Sequence, residues 1–298
     1  MSGAIDQSGP TTYDIAKLQS VARHKLIAAI GEFTGSITQW LSGSLVEGLG
    51  NKSSDVDIFV LVEELSSSVP ATRRDVDHFT LAFVSEGVRY DVEFWPKSIV
   101  LALAHKLSTL QLDDPEFNSN HYLSYWESEF IHRLATGVEL DNPAEFETAR
   151  SWFDLKLFSG YLFENCLRRF DDAFDDSVGM LADNQLGLAA LRSREVIELA
   201  IDALLYASGI TNDKTKFRAV KLRRLAKLFP EYTSYEKAFW EFETSLPLTS
   251  AEQRQYVEAA LLFSSELIGT LQDRIHLVKW VHVYDSGNHH FPRLASIL

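Results

Sequence analysis

Cysteine is almost absent from this chain of 298 residues, which contains only Cys166. A single thiol cannot form a disulfide within the chain, and this fits a reducing compartment, so we expect a cytoplasmic protein. Cys166 lies in the apolar stretch YLFENCL. Free cysteines in such surroundings are usually buried, and we expect an inert thiol here.

Long apolar runs are also missing. The longest, such as Ile58–Val62 and Ile99–Ala104, are far shorter than the ~20 residues that a membrane-spanning helix needs. The first residues, MSGAIDQSGPTTYD, contain neither a basic start nor an apolar stretch, so we expect no secretory signal. The sequence therefore predicts no membrane partner.

Positive charge is scarce. Lysine and arginine total 28 against 42 aspartates and glutamates, a formal net charge of −14. A field of that sign repels nucleic acid, so we expect no nucleic-acid partner. This charge argues against polymerases and RNA-modifying enzymes, and it favours a small anionic ligand held by a local basic site.

The order of sequence patterns predicts an α+β fold. Alternating apolar residues predict a strand at 55–62, and two further strands at 78–84 and 88–95 flank Ser85-Glu86-Gly87 as a hairpin. Helical periodicity precedes this region at 13–33 and dominates after Pro96. The predicted later helices are 97–110, 121–136, 144–171, 186–208, 215–229, 232–244 and 250–284. We expect a small mixed-sheet domain at 1–140 and an α-helical bundle domain at 141–298.

Two carboxylates begin the strand at 55–62. Side chains alternate between the faces of a strand, so Asp55 and Asp57 point the same way while Val56 and Ile58 point to the core. Carboxylates side by side repel each other unless a cation lies between them. A hard divalent ion such as Mg²⁺ is the simplest occupant, because it prefers oxygen ligands.

Further acids share one face of the strand at 88–95. The period of two places Asp91 and Glu93 on the same side, together with Arg89. If this strand pairs beside 55–62, the acids converge. One or two metal ions held there, about 3.5–4 Å apart when there are two, could stabilise the attacking and leaving oxygens of a phosphoryl displacement.

Gly43 and Ser44 precede these acids in the stretch GSLVEGLGNKSSDVDIFV at 43–60. Glycine lets backbone N–H groups approach a phosphate closely, and a serine hydroxyl adds a donor. Neither the glycine–serine pair nor the two aspartates is informative alone. Their combination, with the acidic strand further on, indicates a nucleotide and metal site.

This stretch resembles the signature of the nucleotidyltransferase superfamily related to DNA polymerase beta. It is most similar to the branch of the aminoglycoside and lincosamide nucleotidyltransferases and of the minimal nucleotidyltransferases of toxin–antitoxin pairs. The resemblance is strong over 40–62 and fair over 88–95, and FIHRLATGVEL at 130–140 is similar to the segment that follows the catalytic domain.

The resemblance implies a role for each matching residue. Gly43 and Ser44 would contact the triphosphate of ATP or another nucleoside triphosphate. Asp55, Asp57 and Asp91 would hold Mg²⁺. Asp91 or Glu93 would be the general base, and the sequence leaves both open.

A basic segment lies in the helical half. Residues 211–228 contain seven basic residues against one acid, Asp213. For most of them we expect a solvated helix face. Streptomycin/spectinomycin-type adenylyltransferases supply basic residues from such helices, and the similarity makes Lys216, Lys214 and Arg192 candidates for binding the triphosphate.

The predicted activity is transfer of a nucleoside monophosphate, AMP from ATP first among them, to a hydroxyl of a small-molecule acceptor. Pyrophosphate would leave, and an antibiotic is one possible acceptor, so antibiotic resistance is one biological role that follows. The chain would act as a monomer or homodimer. Modification of a protein partner is one alternative, although minimal nucleotidyltransferases are usually much shorter. A nucleotide-binding regulatory module is another, although the acids are intact.

Overall fold

The computed structural model describes residues 14–31, 35–65, 69–112, 123–212, 214–245 and 247–271. These residues pack into two compact units. The first comprises the described residues up to Thr109 together with Leu123–Leu155, and the second comprises 110–112 and the described residues from Lys156 onward. The division at residue 140 stays a prediction. No helix in these ranges is both long and apolar enough to cross a bilayer.

The described part of the first unit contains a six-stranded mixed sheet in the order β3-β4-β5-β2-β1-β6. β2 and β5 are parallel, and the other neighbouring strands are antiparallel. The strands are β1 (Ser36–Ser42), β2 (Val56–Val62), β3 (Arg73–Arg74), β4 (Phe79–Ser85), β5 (Val88–Pro96) and β6 (Val138–Asp141). The helices of this unit are α1 (Ile15–Ile30), α2 (Lys97–Ser108), α3 (Tyr125–Ala135) and α4 (Pro143–Ser151).

Apolar side chains on both faces of the sheet are buried. On one face, Ala22 and Leu26 of α1 belong to a core with Ile58 and Val92. On the other face, Trp40 lies against aromatic rings: its ring centroid is 5.4 Å from Phe59, 6.1 Å from Phe130 and 5.8 Å from Phe146.

The predicted hairpin is present. Ser85 of β4 pairs with Val88 of β5, and both turn residues have positive φ angles, 51° at Glu86 and 79° at Gly87. Two consecutive positive φ angles are typical of the tight turns whose twist matches that of the flanking strands. The turn therefore fixes the register of β5, the strand that carries Asp91 and Glu93.

The second unit is helical and has its own core. Its helices are α5 (Leu155–Ala182), α6 (Leu186–Ala207), α7 (Arg218–Leu228), α8 (Thr233–Thr244) and α9 (Ser250–Leu271), with 3₁₀ turns at Thr215–Phe217 and Pro230–Tyr232. Cys166 is buried in this core and its thiol donates to the carbonyl of Leu199 at 3.2 Å. Burial raises the pKa of this thiol, as expected for an inert cysteine.

The prediction of one helix over 144–171 is wrong. The chain leaves helical geometry between α4 and α5, where Phe153 is buried and its ring lies 6.3 Å from that of Phe130. The apolar spacing alone is compatible with a continuous helix. The chain instead departs from the helix where the ring of Phe153 is buried in the first unit. The predicted helix at 250–284 is present to Leu271, and its remainder lies outside the described residues.

Candidate active site

Three aspartates converge where the two parallel strands meet. Asp57 of β2 is the register partner of Asp91 of β5, and Asp55 lies just before β2. One carboxylate oxygen from each of the three lies within 4.8 Å of the others. Val56 and Ile58, which alternate with them, are buried. The alternation expected from the sequence thus brings these three carboxylates together.

The carboxylate of Asp57 lies in a strongly perturbed environment. Burial raises its pKa to about 7; Arg133 opposes this increase, and the charges of Asp55, Glu93 and Asp91 add to it. Burial disfavours the ionised form, and neighbouring negative charge disfavours it further. A divalent cation at this position would counteract both effects, because it stabilises the ionised carboxylate.

Glu93 lies one pleat further along β5, opposite Phe59. Its Oε2 accepts a hydrogen bond of 2.8 Å from the indole nitrogen of Trp95. Burial raises the pKa of Glu93 to about 7, against the opposing effect of that hydrogen bond. Glu93 is outside the group of three aspartate oxygens, although it shares their face of the sheet.

The loop after β1 brings backbone close to Asp57. Gly43 has a φ of 85°, and a Cβ at this position would lie 1.9 Å from Oδ2 of Asp57. The carbonyl of Ser44 accepts from the amides of Leu49 at 2.7 Å and Gly50 at 2.8 Å, which closes the loop into a compact turn. Both the backbone angle and the close approach therefore require glycine at 43.

Helix α3 contributes side chains that the sequence reasoning did not assign. An Nη of Arg133 is 3.5 Å from Oδ2 of Asp57, and its other Nη donates to Glu129 at 3.2 Å. His132 is buried and its Nε2 lies 3.3 Å from Oε1 of Glu47 in the loop. The four-residue spacing of Glu129 and Arg133 was the available signal, but it indicates only a helical ion pair.

A cavity of about 860 Å³ opens beside these acids within the first unit. Asp57, Asp91 and Glu93 line it, with the rings of His78, Trp95 and Trp126. The rings of His78 and Trp95 are stacked, with centroids 4.5 Å apart. A cavity of this size can hold a small molecule next to the carboxylates.

The basic candidates belong to the second unit. Lys216 is exposed in the 3₁₀ turn, and its ammonium lies 4.8 Å from the ring centroid of Phe217. Lys214 is half-buried just before that turn. Arg192 contacts Asp176 at 3.0 Å and also pairs with Glu195.

We expected a solvated helix face for most basic residues of the segment 211–228, but two of them do not lie on such a face. Arg218 and Lys221 are buried. The guanidinium of Arg218 donates twice to the carboxylate of Asp202, at 2.9 and 2.7 Å, and Lys221 donates to the carbonyl of Thr211 at 2.8 Å. Both side chains therefore have structural contacts within the second unit.

The donor set of the three aspartates fits a divalent metal. Carboxylate oxygens are the ligands that Mg²⁺ prefers, and this ion commonly keeps water and substrate phosphate oxygens in its remaining positions. The three oxygens provide a partial coordination sphere of that kind. Clusters of aspartates also occur without metals, so the fit is compatible with Mg²⁺ without being specific for it.

A match to a family of known proteins covers the three clustered aspartates of this site. The family model of the nucleotidyltransferase domain matches residues 24–111. The fold is similar to that of a nucleotidyltransferase-like protein from Exiguobacterium sibiricum, with 10% identity, a TM-score of 0.44, and coverage of 86% of this chain and 76% of that one. No curated protein has significant sequence similarity to the chain. The matched segment contains the glycine–serine loop and all four predicted acids, so residues 24–111 are similar to nucleotidyltransferase domains in the part of the chain that forms this site.

Proposed function

We propose that this enzyme transfers a nucleoside monophosphate, AMP from ATP as the first candidate, to a hydroxyl of a small-molecule acceptor in a Mg²⁺-dependent reaction. Hydroxylated antibiotics are the acceptor class to test first. The observation that carries the proposal is the convergence of Asp55, Asp57 and Asp91 within 4.8 Å, next to a glycine loop that closely approaches Asp57.

The three aspartates are the proposed metal ligands. One or two Mg²⁺ ions held there would neutralise phosphate charge and orient the triphosphate. The chain's own contribution is to fix the three carboxylates on two paired strands, which limits their reorganisation during the reaction. Gly43 and Ser44, at the start of the loop, are the proposed contacts to the triphosphate.

Either Asp91 or Glu93 accepts the proton of the acceptor hydroxyl in this proposal. The hydroxyl oxygen attacks the α-phosphorus, the bond from that phosphorus to the bridging oxygen breaks, and pyrophosphate leaves. Both carboxylates line the cavity. Glu93 is the favoured base because its carboxylate lies outside the three aspartate oxygens and is held by Trp95 at 2.8 Å.

Lys214, Lys216 and Arg192 are the proposed cations for the leaving pyrophosphate. A triphosphate with bound metal keeps negative charge that charge-assisted hydrogen bonds can stabilise. Lys216 is the first candidate because its side chain is exposed in the 3₁₀ turn that precedes α7. The ion pairs of Arg192 with Asp176 and Glu195 already compensate part of its charge.

The experiment that tests the function is incubation with each of the four labelled nucleoside triphosphates, Mg²⁺ and a panel of hydroxylated antibiotics, followed by mass spectrometry. The expected result is an acceptor heavier by one nucleoside monophosphate, with release of pyrophosphate. Asp57→Asn, which keeps the size of the side chain, is the matched inactive control.

The same experiment distinguishes the alternatives. A nucleotidyl group found on the chain itself or on an added protein would support modification of a protein partner. Nucleotide binding without pyrophosphate release across the panel, even with a wider set of acceptors, would support a regulatory module and contradict the proposal.

A further inference from the structure

The guanidinium of Arg133 lies close both to Gly43, in the loop between β1 and β2, and to the carboxylate of Asp57. One Nη is 3.5 Å from Oδ2 of Asp57, and a Cβ added at Gly43 would lie 2.6 Å from the same Nη. The other Nη donates to Glu129 at 3.2 Å. With only 11% of its side chain exposed, this cation is enclosed within the first unit.

Helix α3 holds this guanidinium in place through contacts on both sides of it in the sequence. His132 contacts Glu47 of the loop at 3.3 Å, and the hydroxyl of Thr136 lies 3.4 Å from that of Ser42 at the end of β1. His132 and Arg133 of α3 thus contact the loop and β2, and Thr136, directly after the helix, contacts β1. Movement of the loop or of Asp57 is therefore coupled to Arg133.

The position of Arg133 has opposite consequences for the two ligands proposed above. Its positive charge neutralises part of the negative charge at Asp57 and would repel a divalent ion bound to that carboxylate. The same charge, at the glycine that is proposed to contact phosphate, would attract a triphosphate. The planar guanidinium can donate to Glu129 and to a phosphate oxygen at the same time.

We propose that Arg133 makes metal binding at the three aspartates dependent on the nucleotide. Without nucleotide, Arg133 pairs with Asp57 and weakens the binding of a free metal ion. With nucleotide, the guanidinium donates to a phosphate oxygen, and Asp57 becomes available to the ion that accompanies the triphosphate. This inference rests on the proposed metal and nucleotide site and does not depend on the acceptor.

Two binding measurements on the full chain test it, neither of which needs turnover. Binding of Mn²⁺ alone is measured by electron paramagnetic resonance, and binding of ATP with Mg²⁺ is measured by calorimetry without acceptor. Arg133→Gln is expected to bind Mn²⁺ alone more tightly and Mg²⁺–ATP roughly tenfold or more weakly. Arg23→Gln is the matched control, because Arg23 also has a 3.5 Å ion pair, with Asp141.

A second variant keeps the inference testable if Arg133→Gln does not fold. Glu129→Gln combined with Arg133→Gln removes both partners of the helical ion pair, so Glu129 is not left as a charge without Arg133, and the net charge is unchanged. It should show the same opposite changes in affinity. A loss of both affinities, or a change in neither, in a variant that folds would overturn the inference. Absence of Mn²⁺ and ATP binding in the unaltered chain would instead contradict the proposed function.

Discussion

Gly43 and Asp57 approach each other so closely that a methyl group on the glycine would lie 1.9 Å from Oδ2 of the aspartate. Gly43→Ala must therefore displace the carboxylate or the loop. We expect this variant to lose metal affinity and nucleotidyl transfer activity. Mn²⁺ binding and turnover measured on the same preparation check the prediction.

The control for this prediction is Gly87→Ala. Gly87 has a similar φ of 79°, yet a Cβ there would meet nothing within 4 Å. This variant should lose roughly 1–2 kcal/mol of stability from backbone strain alone and keep its metal affinity. Equal losses of metal affinity in the two variants would refute the argument from close approach.

The two candidate bases differ in their relation to the proposed metal ligands. Asp91 contributes one of the three clustered oxygens, whereas Glu93 is held by Trp95 outside that cluster. We expect Asp91→Asn to weaken Mn²⁺ binding strongly and Glu93→Gln to leave it almost unchanged, while both lose turnover. Titration of each variant with Mn²⁺ checks this difference. Metal affinity that falls only in Glu93→Gln would reverse the proposed assignment.

The sequence predicted which side chains share a face because alternation along a strand is local geometry. It placed Asp55 with Asp57 and Asp91 with Glu93, and it predicted the turn between β4 and β5. The parallel pairing of β2 with β5 is a long-range contact. The sequence did not predict this pairing; it predicted only that the acids would converge if the two strands were neighbours.

Arg133 could not be assigned from the sequence for the same reason. It contacts an aspartate 76 residues away, and no local pattern specifies such a contact. The break between α4 and α5 was missed because apolar spacing continues across it while Phe153 is buried against Phe130. Sequence patterns thus predicted the candidate acids and their faces, and packing determines which other residues surround them.

The buried acids predict an unusual dependence of stability on pH when no metal is bound. Burial raises the pKa of Asp57 from 3.8 to about 7 and that of Glu93 from 4.5 to about 7. Between these values the folded chain binds more protons than the unfolded chain, so the free energy of unfolding should decrease as pH rises. The contribution is complete below about pH 4 and is lost above about pH 7.

Comparison with Asp57→Asn isolates this effect from other titrating groups. The free energy of unfolding of the unaltered chain minus that of Asp57→Asn should fall with rising pH by a few kcal/mol, since one pKa unit corresponds to about 1.4 kcal/mol. Urea denaturation in EDTA at several pH values measures it. Mg²⁺ should reduce the decrease by binding the ionised carboxylates of the folded chain. A difference that stays constant or rises with pH would contradict the environment described for Asp57.

Lys216 and Arg192 should differ in their importance for nucleotide binding. No ion pair of Lys216 lies within the described residues, whereas Arg192 pairs with Asp176 at 3.0 Å and with Glu195. If Lys216 contacts the triphosphate, Lys216→Ala should weaken binding of Mg²⁺–ATP by about 1–3 kcal/mol. Arg192→Gln should have a smaller effect, because neighbouring carboxylates already compensate its charge. Calorimetry without acceptor measures both affinities.

Lys237→Ala, which removes an exposed lysine of α8 near Glu241, controls for the loss of one positive charge from the same unit. An ATP affinity that falls equally in Lys216→Ala and Lys237→Ala would mean that net charge, and no specific contact, accounts for the change.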